Sequence, residues 1–163
     1  MSPFTLRPAE EGDLPALLAL YRAYHRELEG FGMPYALREE ELERVLRLRV
    51  RSRLILTELA LDGDGAPAGF VFCSILRLAN EYLCEGSASV GYLNDLYVSP
   101  ALRRQGAARA LTARAEDWLR EQGVPTMQLQ VLRGNPAART YWEGVGMRPV
   151  GTLYDKNLEK DGN

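Results

Sequence analysis

The residues with the clearest chemistry in this chain are Arg103, Arg104, Gln105, Gly106, Ala107 and Ala108, a basic, small-residue run directly before a helical pattern. The first turn of a helix leaves backbone N–H groups without internal partners, and the helix dipole makes that end attractive to anions. Gly106 has no Cβ, so a bulky anion can come close to its backbone, and Ala107 and Ala108 keep the next positions small. Arg103 and Arg104 offer planar donors suited to phosphate oxygens. This is the chemistry of a pyrophosphate cradle. An ordinary helix N-terminus with solvated arginines fits the same residues equally well.

The flanking elements put this run between a strand and a helix. Val90 to Val98 is rich in Val, Leu and Tyr and is closed by Ser99-Pro100, which predicts a strand. From Ala107 the period changes: Ala108, Leu111, Ala115, Trp118 and Leu119 fall on one helical face, with Arg109, Thr112, Arg114 and Glu116 turned away. Gly123 and Pro125 stop that helix. Upstream, Phe4 and Leu6 predict a short strand. Asp13 reads as the N-cap of a helix whose apolar face is Leu14, Leu17, Leu18, Tyr21, Tyr24 and Leu28. A second helix is predicted over Arg38 to Leu48, with Leu42, Val45 and Leu46 inward. Leu54 to Leu61 and Ala68 to Leu78 read as strands joined by the turn Asp62-Gly63-Asp64-Gly65, and Asn80 to Ser87 as a loop. Met127 to Leu132 predicts a strand, Asn135 opens a helix, and Val150 to Leu158 can supply one or two closing strands. The order predicts an α+β, or mixed α/β, domain with a largely antiparallel central sheet flanked by helices.

Arg103-x-x-Gly106-x-Ala108 after Leu96-Tyr97-Val98 resembles the Q/R-x-x-G-x-G/A signature of the GNAT superfamily of N-acetyltransferases. A second block resembles the same family's later motif, an Asn followed by a helix and then Gly-Phe: Asn135 and Ala138, then Tyr141 and Trp142, then Gly146-Met147. The resemblance covers roughly the second half of the chain. It implies that the central strand and the Met127 strand splay apart, and that acetyl-CoA is the co-substrate. Its pantetheine arm would lie in the gap like a false strand, bonding to the backbone of Leu96 and Val98. It places the cofactor against Leu96, Tyr97, Val98, Arg103, Arg104, Gln105, Gly106, Ala107, Ala108 and Arg109, with Asn135, Ala138 and Trp142 completing the set. By the same resemblance Tyr24, His25, Glu27, Glu29 and Tyr35 are candidate acceptor contacts. Each also has a plainer place: tyrosines at the core rim, solvated glutamates, and a histidine on a helix surface.

The implied reaction moves an acetyl group from acetyl-CoA to a primary amine, by direct attack in a ternary complex. Holding the reactants together lowers a barrier by about 7–11 kcal/mol, whereas a positioned acid or base contributes roughly 10²–10⁴-fold, so the binding scaffold outweighs any one proton-transfer residue. The catalytic candidates are Asn94, Asp95, Tyr141 and Trp142. Where polyamine-acetylating relatives carry Glu, this chain has Asn94, which cannot act as a base but can orient a water. Asp95 carries a carboxylate, yet neighbours on a strand face opposite ways, and a structural carboxylate bonded to backbone fits this residue at least as well. Where many members place a tyrosine that protonates the departing thiolate, this chain has Trp142, with Tyr141 one residue earlier and Met147 in place of Phe. A second function class follows from these departures: an acyl-CoA-binding sensor or regulatory module without catalysis.

Length and composition bound the rest. A chain of 163 residues and 18.2 kDa, 46% hydrophobic and 26% charged, is read as one domain over residues 1–163. A net charge of −2 and a pI near 5.6 argue against nucleic acid as partner. The resemblance implies a small-molecule or peptide amine as acceptor, and a homodimer is left open. Cys73, Cys84 and the lone His25 have no metal-ligand spacing, so neither a metal site nor a disulfide framework is expected. The N-terminus has no secretory pattern and no apolar run reaches the roughly 18 residues needed to cross a membrane, so a cytoplasmic protein is expected. There is no P-loop, G-x-G-x-x-G, H-E-x-x-H or G-x-S-x-G. The arginines from Arg44 to Arg53 sit beside Glu39 to Glu43 and read as a mixed-charge surface with no assigned role.

Overall fold

The structure is a computed structural model that describes residues 3 to 159; residues 1, 2 and 160 to 163 of the expected domain lie outside the described residues. The elements run β1 (Thr5–Pro8), α1 (Leu14–Gly30), α2 (Glu39–Arg51), β2 (Ile55–Leu61), β3 (Pro67–Arg77), β4 (Ser89–Val98), α3 (Ala107–Glu121), β5 (Met127–Gln128) and α4 (Pro136–Gly144). The strands form one five-stranded sheet in the order β1-β2-β3-β4-β5. The first four are antiparallel and β5 joins β4 in parallel. The expected mixed, largely antiparallel sheet between helices is therefore present.

Strand alternation builds two cores, because successive side chains point to opposite faces. Phe70 and Phe72 of β3 join Leu59 and Tyr97 under Leu14 and Leu17 of α1 and Leu42 and Leu46 of α2. Val71 and Cys73, the intervening residues, join Leu56, Leu93 and Val98 under Leu111, Ala115 and Trp118 of α3, with Trp142 of α4. Phe70 and Phe72 have no solvent exposure, and burying a side chain of that size contributes about 1.5–3 kcal/mol. Among the described residues, no helix is long and apolar enough to cross a membrane.

Several local expectations differ from the structure. Asp13 does not cap α1: its carboxylate takes Arg7 at 2.7 and 2.8 Å and the Glu10 N–H at 2.8 Å. Proline at position 15 removes one of the N–H groups a cap would serve. The second helix continues past Leu48 to Arg51 because Arg49 lies on its inward stripe, seven residues after Leu42 and three after Leu46. The strand expected to run from Met127 to Leu132 pairs only at Met127–Gln128. Val150 to Leu158 forms no strand, and Val150, Leu153, Tyr154 and Leu158 are exposed. A two-residue edge at β5 offers a returning segment few N–H and C=O groups, and Pro149 contributes none as a donor.

Candidate functional site

β4 ends at Val98, and a 3₁₀ turn at Pro100–Leu102 leads into the loop that opens α3. Arg104 and Gly106 both adopt left-handed backbone, at φ 62° and 89°. Gly106 is the residue before α3, and no side chain caps this helix. The N–H groups of Ala107, Ala108 and Arg109 thus precede the first bond into the helix, from Ala110 N–H to Gly106 O at 3.0 Å. A Cβ built on Gly106 would meet no protein atom within 4 Å. Arg104 and Arg109 are exposed, while Gln105 Nε2 donates to Ala101 O at 3.0 Å.

Arg103 stands apart in this group. The expectation of two converging arginines put it on a phosphate, but its guanidinium is held elsewhere. Nε donates to Val98 O at 2.9 Å, and the terminal nitrogen donates to both Glu27 oxygens at 2.6 and 2.8 Å. The cationic carbon also lies 5.7 Å from the centre of the Tyr97 ring, on the α1 side of the sheet.

Beside the loop the sheet opens. Gly91 N–H reaches Thr126 O at 2.8 Å, and the β4–β5 ladder pairs Gly91 with Met127 and Tyr92 with Gln128, then stops. On the other side of β4, Ser99 N–H bonds Ala68 O at 2.8 Å, and Val98 lies opposite Gly69 and Leu96 opposite Val71. Antiparallel pairs alternate between bonded and non-bonded, so the backbone groups of Leu96 and Val98 point away from β3, towards the opening. The Val98 carbonyl is occupied by Arg103, which leaves its N–H.

The register of β4 shifts between Phe72 and Cys73 of β3, where Asp95 pairs with Phe72 and Leu93 with Cys73. Asn94 is the extra residue. This bulge overturns the expectation that Asn94 and Asp95 face opposite ways. Asn94 Oδ1 accepts from Ser74 Oγ at 2.8 Å, and Asp95 accepts from Arg49 at 2.8 Å beside Phe72, whose ring lies 4.8 Å from that guanidinium. Ser74 and Phe72 are two apart on one strand and so share a face. The Asp95 side chain is 12% exposed. Burial pushes its carboxyl above the usual range, while Arg49 and the hydroxyls of Tyr24 and Tyr21 pull it back. The same burial, with Asp95 nearby, pushes Tyr21 up to about 12 and Tyr24 higher still.

On α4 the two aromatic candidates part. Trp142 is buried in the α3-side core. Tyr141 is half-buried, and its hydroxyl lies 2.9 Å from Thr112 Oγ1 on α3. Thr112 Oγ1 donates to Ala108 O at 2.9 Å, so its one proton is taken and Tyr141 is the donor of the pair. Burial raises the Tyr141 hydroxyl above its ordinary range, with the Arg109 charge acting against that. Asn135 Oδ1 accepts from Ala138 N–H at 3.1 Å and caps α4.

The acceptor candidates are dispersed in their bonding. His25 is buried, with Nε2 2.9 Å from Tyr35 O and Nδ1 3.7 Å from Glu29. Glu27 holds Arg103, Tyr24 packs its ring on Phe70 and Tyr97, and the Tyr35 side chain is exposed. In the basic run Arg44 pairs with Glu41, Arg47 with Glu43, and Arg51 with Glu11; Arg49 alone of these turns inward.

Sequence reasoning missed three side chains: Thr112, Arg49 and Ser74 as partners of Tyr141, Asp95 and Asn94. Two had a signal. Thr112 follows Ala108 by four, and Arg49 follows Leu42 by seven, each on an apolar stripe that its polarity masks. Among the described residues, no group of three or more His, Cys, Asp or Glu could hold a metal ion.

Residues 14–147 match the Acetyltransferase (GNAT) family. A mycothiol acetyltransferase of Beutenbergia cavernae is 38% identical over 89 residues, covering 55% of this chain and 27% of that protein. An aminoglycoside N(6')-acetyltransferase type 1 of Klebsiella aerogenes is 40% identical over 92 residues, covering 56% of this chain and 59% of that protein. The chain thus spans less than two thirds of the length of either relative. A predicted acetyltransferase of Clostridium acetobutylicum, solved with acetyl-CoA, superposes with a TM-score of 0.77 at 17% identity, covering 98% of this chain and 99% of that one.

Proposed function

The chain belongs to the GNAT acetyltransferase family, and on that premise we propose that it transfers an acetyl group from acetyl-CoA to a primary amine, residues 1–163 acting as one N-acetyltransferase domain. The observation that carries the reading is the uncapped N-terminus of α3 beside the opened β4–β5 edge. The residues fit the co-substrate. The N–H groups of Ala107 to Arg109 and the charges of Arg104 and Arg109 suit a pyrophosphate, the open space at Gly106 admits it, and the backbone of Leu96 with the Val98 N–H suits an amide-bearing arm.

In the reaction the neutral amine nitrogen bonds to the thioester carbonyl carbon, the carbon–sulfur bond breaks, and the sulfur leaves with the electron pair as thiolate while the nitrogen loses its proton to water. Thiols have a pKa near 8.5, about two units below a lysine-like amine, so the thiolate is a tolerable leaving group. Asp95 is bonded to Arg49 at 2.8 Å, so the carboxylate beside the bulge is no free base. Asn94, with its amide oxygen on Ser74, is left to orient a water or the amine. The acid on α4 is not Trp142, whose indole N–H does not ionise at ordinary pH. The relatives' names make a small amine acceptor, of thiol-conjugate or aminoglycoside kind, the first class to test beside polyamines and peptides.

The ion pair that holds Asp95 on Arg49 is the observation that favours a second reading, an acyl-CoA sensor without turnover. One experiment separates them: CoA thiol release from acetyl-CoA over a panel of diamines, polyamines, amino acids, aminoglycosides, amino-sugar thiol conjugates and peptides, with calorimetric CoA binding measured alongside. Acceptor-dependent release supports the transferase. Tight CoA binding with no release across the panel supports the sensor, and absence of CoA binding overturns both.

A further inference from the structure

The contact between Arg103 and Glu27 joins two parts of the molecule that lie 76 residues apart in sequence. Arg103 opens the α3 loop. Glu27 lies on α1, three residues after Tyr24, whose ring packs 5.8 Å from that of Tyr97. That spacing keeps Tyr24 and Glu27 on one helical face, so the aromatic packing aims the carboxylate at the end of β4. The Tyr97 hydroxyl also lies 3.4 Å from Glu27. Arg103 is thereby fixed at three points: its Nε on the Val98 carbonyl, its terminal nitrogen on both carboxylate oxygens, and its face on the Tyr97 ring.

Tyr97 belongs to the α1–α2 core, whereas Ala107 and Leu111 of α3 belong to the core on the other face of the sheet. The Arg103 guanidinium therefore sits across the sheet from the α3 first turn. It does not serve there as a phosphate donor. The next residues of the chain form a loop with left-handed backbone at Arg104 and Gly106. A non-glycine residue in that region persists only where its surroundings hold it. The three-point fixing of Arg103 is such a hold, at the residue just before Arg104.

We propose that Glu27 is a positioning residue for the cofactor loop: through Arg103 it fixes the loop so that the N–H groups of the α3 first turn are presented to the phosphates of acetyl-CoA. The inference rests on the acetyl-CoA reading above and assigns Glu27 to the cofactor side of the site, not to the acceptor. Loss of the carboxylate frees the guanidinium and loosens the loop. The Glu27 and Arg103 side chains are 38% and 43% exposed, so the effect on binding is modest.

The test is calorimetric titration of the full chain with CoA, without acceptor, for the parent, Glu27→Gln, Arg103→Gln, the double variant, and the charge swap Glu27→Arg with Arg103→Glu. Expected are a dissociation constant raised about fivefold by either single substitution, no further loss in the double variant, and partial recovery in the charge swap, as for a coupled pair. With an acceptor from the panel, Glu27→Gln should raise KM for acetyl-CoA while leaving kcat and the acceptor KM unchanged. If Glu27→Gln fails to fold, the charge swap carries the test: it should fold and bind CoA, and a folded swap that binds no CoA overturns the proposal. An unchanged or tightened CoA constant in Glu27→Gln overturns it too, as does a rise confined to the acceptor KM. A parent that binds no CoA instead overturns the acetyl-CoA reading on which this rests.

Discussion

The N-termini of α3 and α4 are built from similar instructions and end in opposite states. Each comes after a strand end and a tight loop, and each presents N–H groups that its own helix cannot use. At α4, Asn135 turns its amide oxygen back onto Ala138 N–H, and Pro136 removes a further donor. That terminus is closed by its own chain. At α3 the preceding residue is Gly106, with no side chain to turn back, on left-handed backbone facing open space. That terminus is unfilled by the protein. The loops are anchored differently as well. Gly134, ahead of α4, abuts Phe31 so closely that a Cβ would stand 2.3 Å from its carbonyl oxygen. The α3 loop is instead held by a side chain, Arg103. A cap and a ligand compete for the same donors, so the absence of a cap is the more informative feature.

The strongest way to break this contrast is to give α3 a carboxylate. Gly106→Asp keeps a residue that tolerates left-handed backbone but places negative charge in the open space. Losing one or two charge-assisted bonds of about 1.5–3 kcal/mol each should weaken CoA binding about a hundredfold, while the strain of a side chain at φ 89° lowers the melting temperature by only roughly 2–4 °C. Calorimetry and a thermal melt on one preparation check both halves; unchanged CoA affinity would mean the cradle lies elsewhere. Valine at Gly106 is a poorer probe, since φ 89° strains a β-branched residue whatever the ligand does.

Arg104→Gln should have the next largest effect. The exposed guanidinium at the loop would lose its phosphate, and CoA affinity should fall about tenfold at low salt and less at high salt, where exposed charges are screened. Titrations at two ionic strengths decide it, and a salt-independent loss would point to loop distortion.

On α4 the prediction inverts, with stability moving and affinity holding. Asn135→Ala should cost about 1 kcal/mol, a melting shift of roughly 2–4 °C for a chain of this size, and Asn135→Ser should recover most of it. CoA affinity should stay within twofold in both. A fivefold loss in the serine variant would give the Asn135 amide a bond to the cofactor arm as well as the cap.

The smallest effect is expected where the two helices meet. Tyr141→Phe removes the phenol that donates to Thr112 while Thr112 keeps Ala108 O, so turnover under saturating acetyl-CoA should stay within about threefold. A fall of about a hundredfold with folding intact is general-acid size, and would make the phenol on α4 the proton donor to the thiolate.

Much of this site was legible in the residues. The run Arg103 to Ala108 placed a loop and a helix start after a strand, because proline at position 100, glycine at 106 and the change of period restrict the backbone locally. The cap at Asn135 was legible for the same reason, being settled within one turn of its own helix. What the chain could not announce were relations set by distant partners. The bulge that brings Asn94 and Asp95 to one face is a property of the β3–β4 register, and neither strand alone contains it. Asp95 was open between a catalytic carboxylate and a structural one until α2 delivered Arg49 to it. Arg103 looked like a phosphate ligand until α1 brought Glu27 across from the other side of the sheet. The sequence determined where a backbone anion site could form, since helix ends and left-handed turns depend on neighbouring residues. Only the tertiary structure decided which charged side chains remain available to it, since a charge is neutralised by whatever the fold brings within a few ångströms.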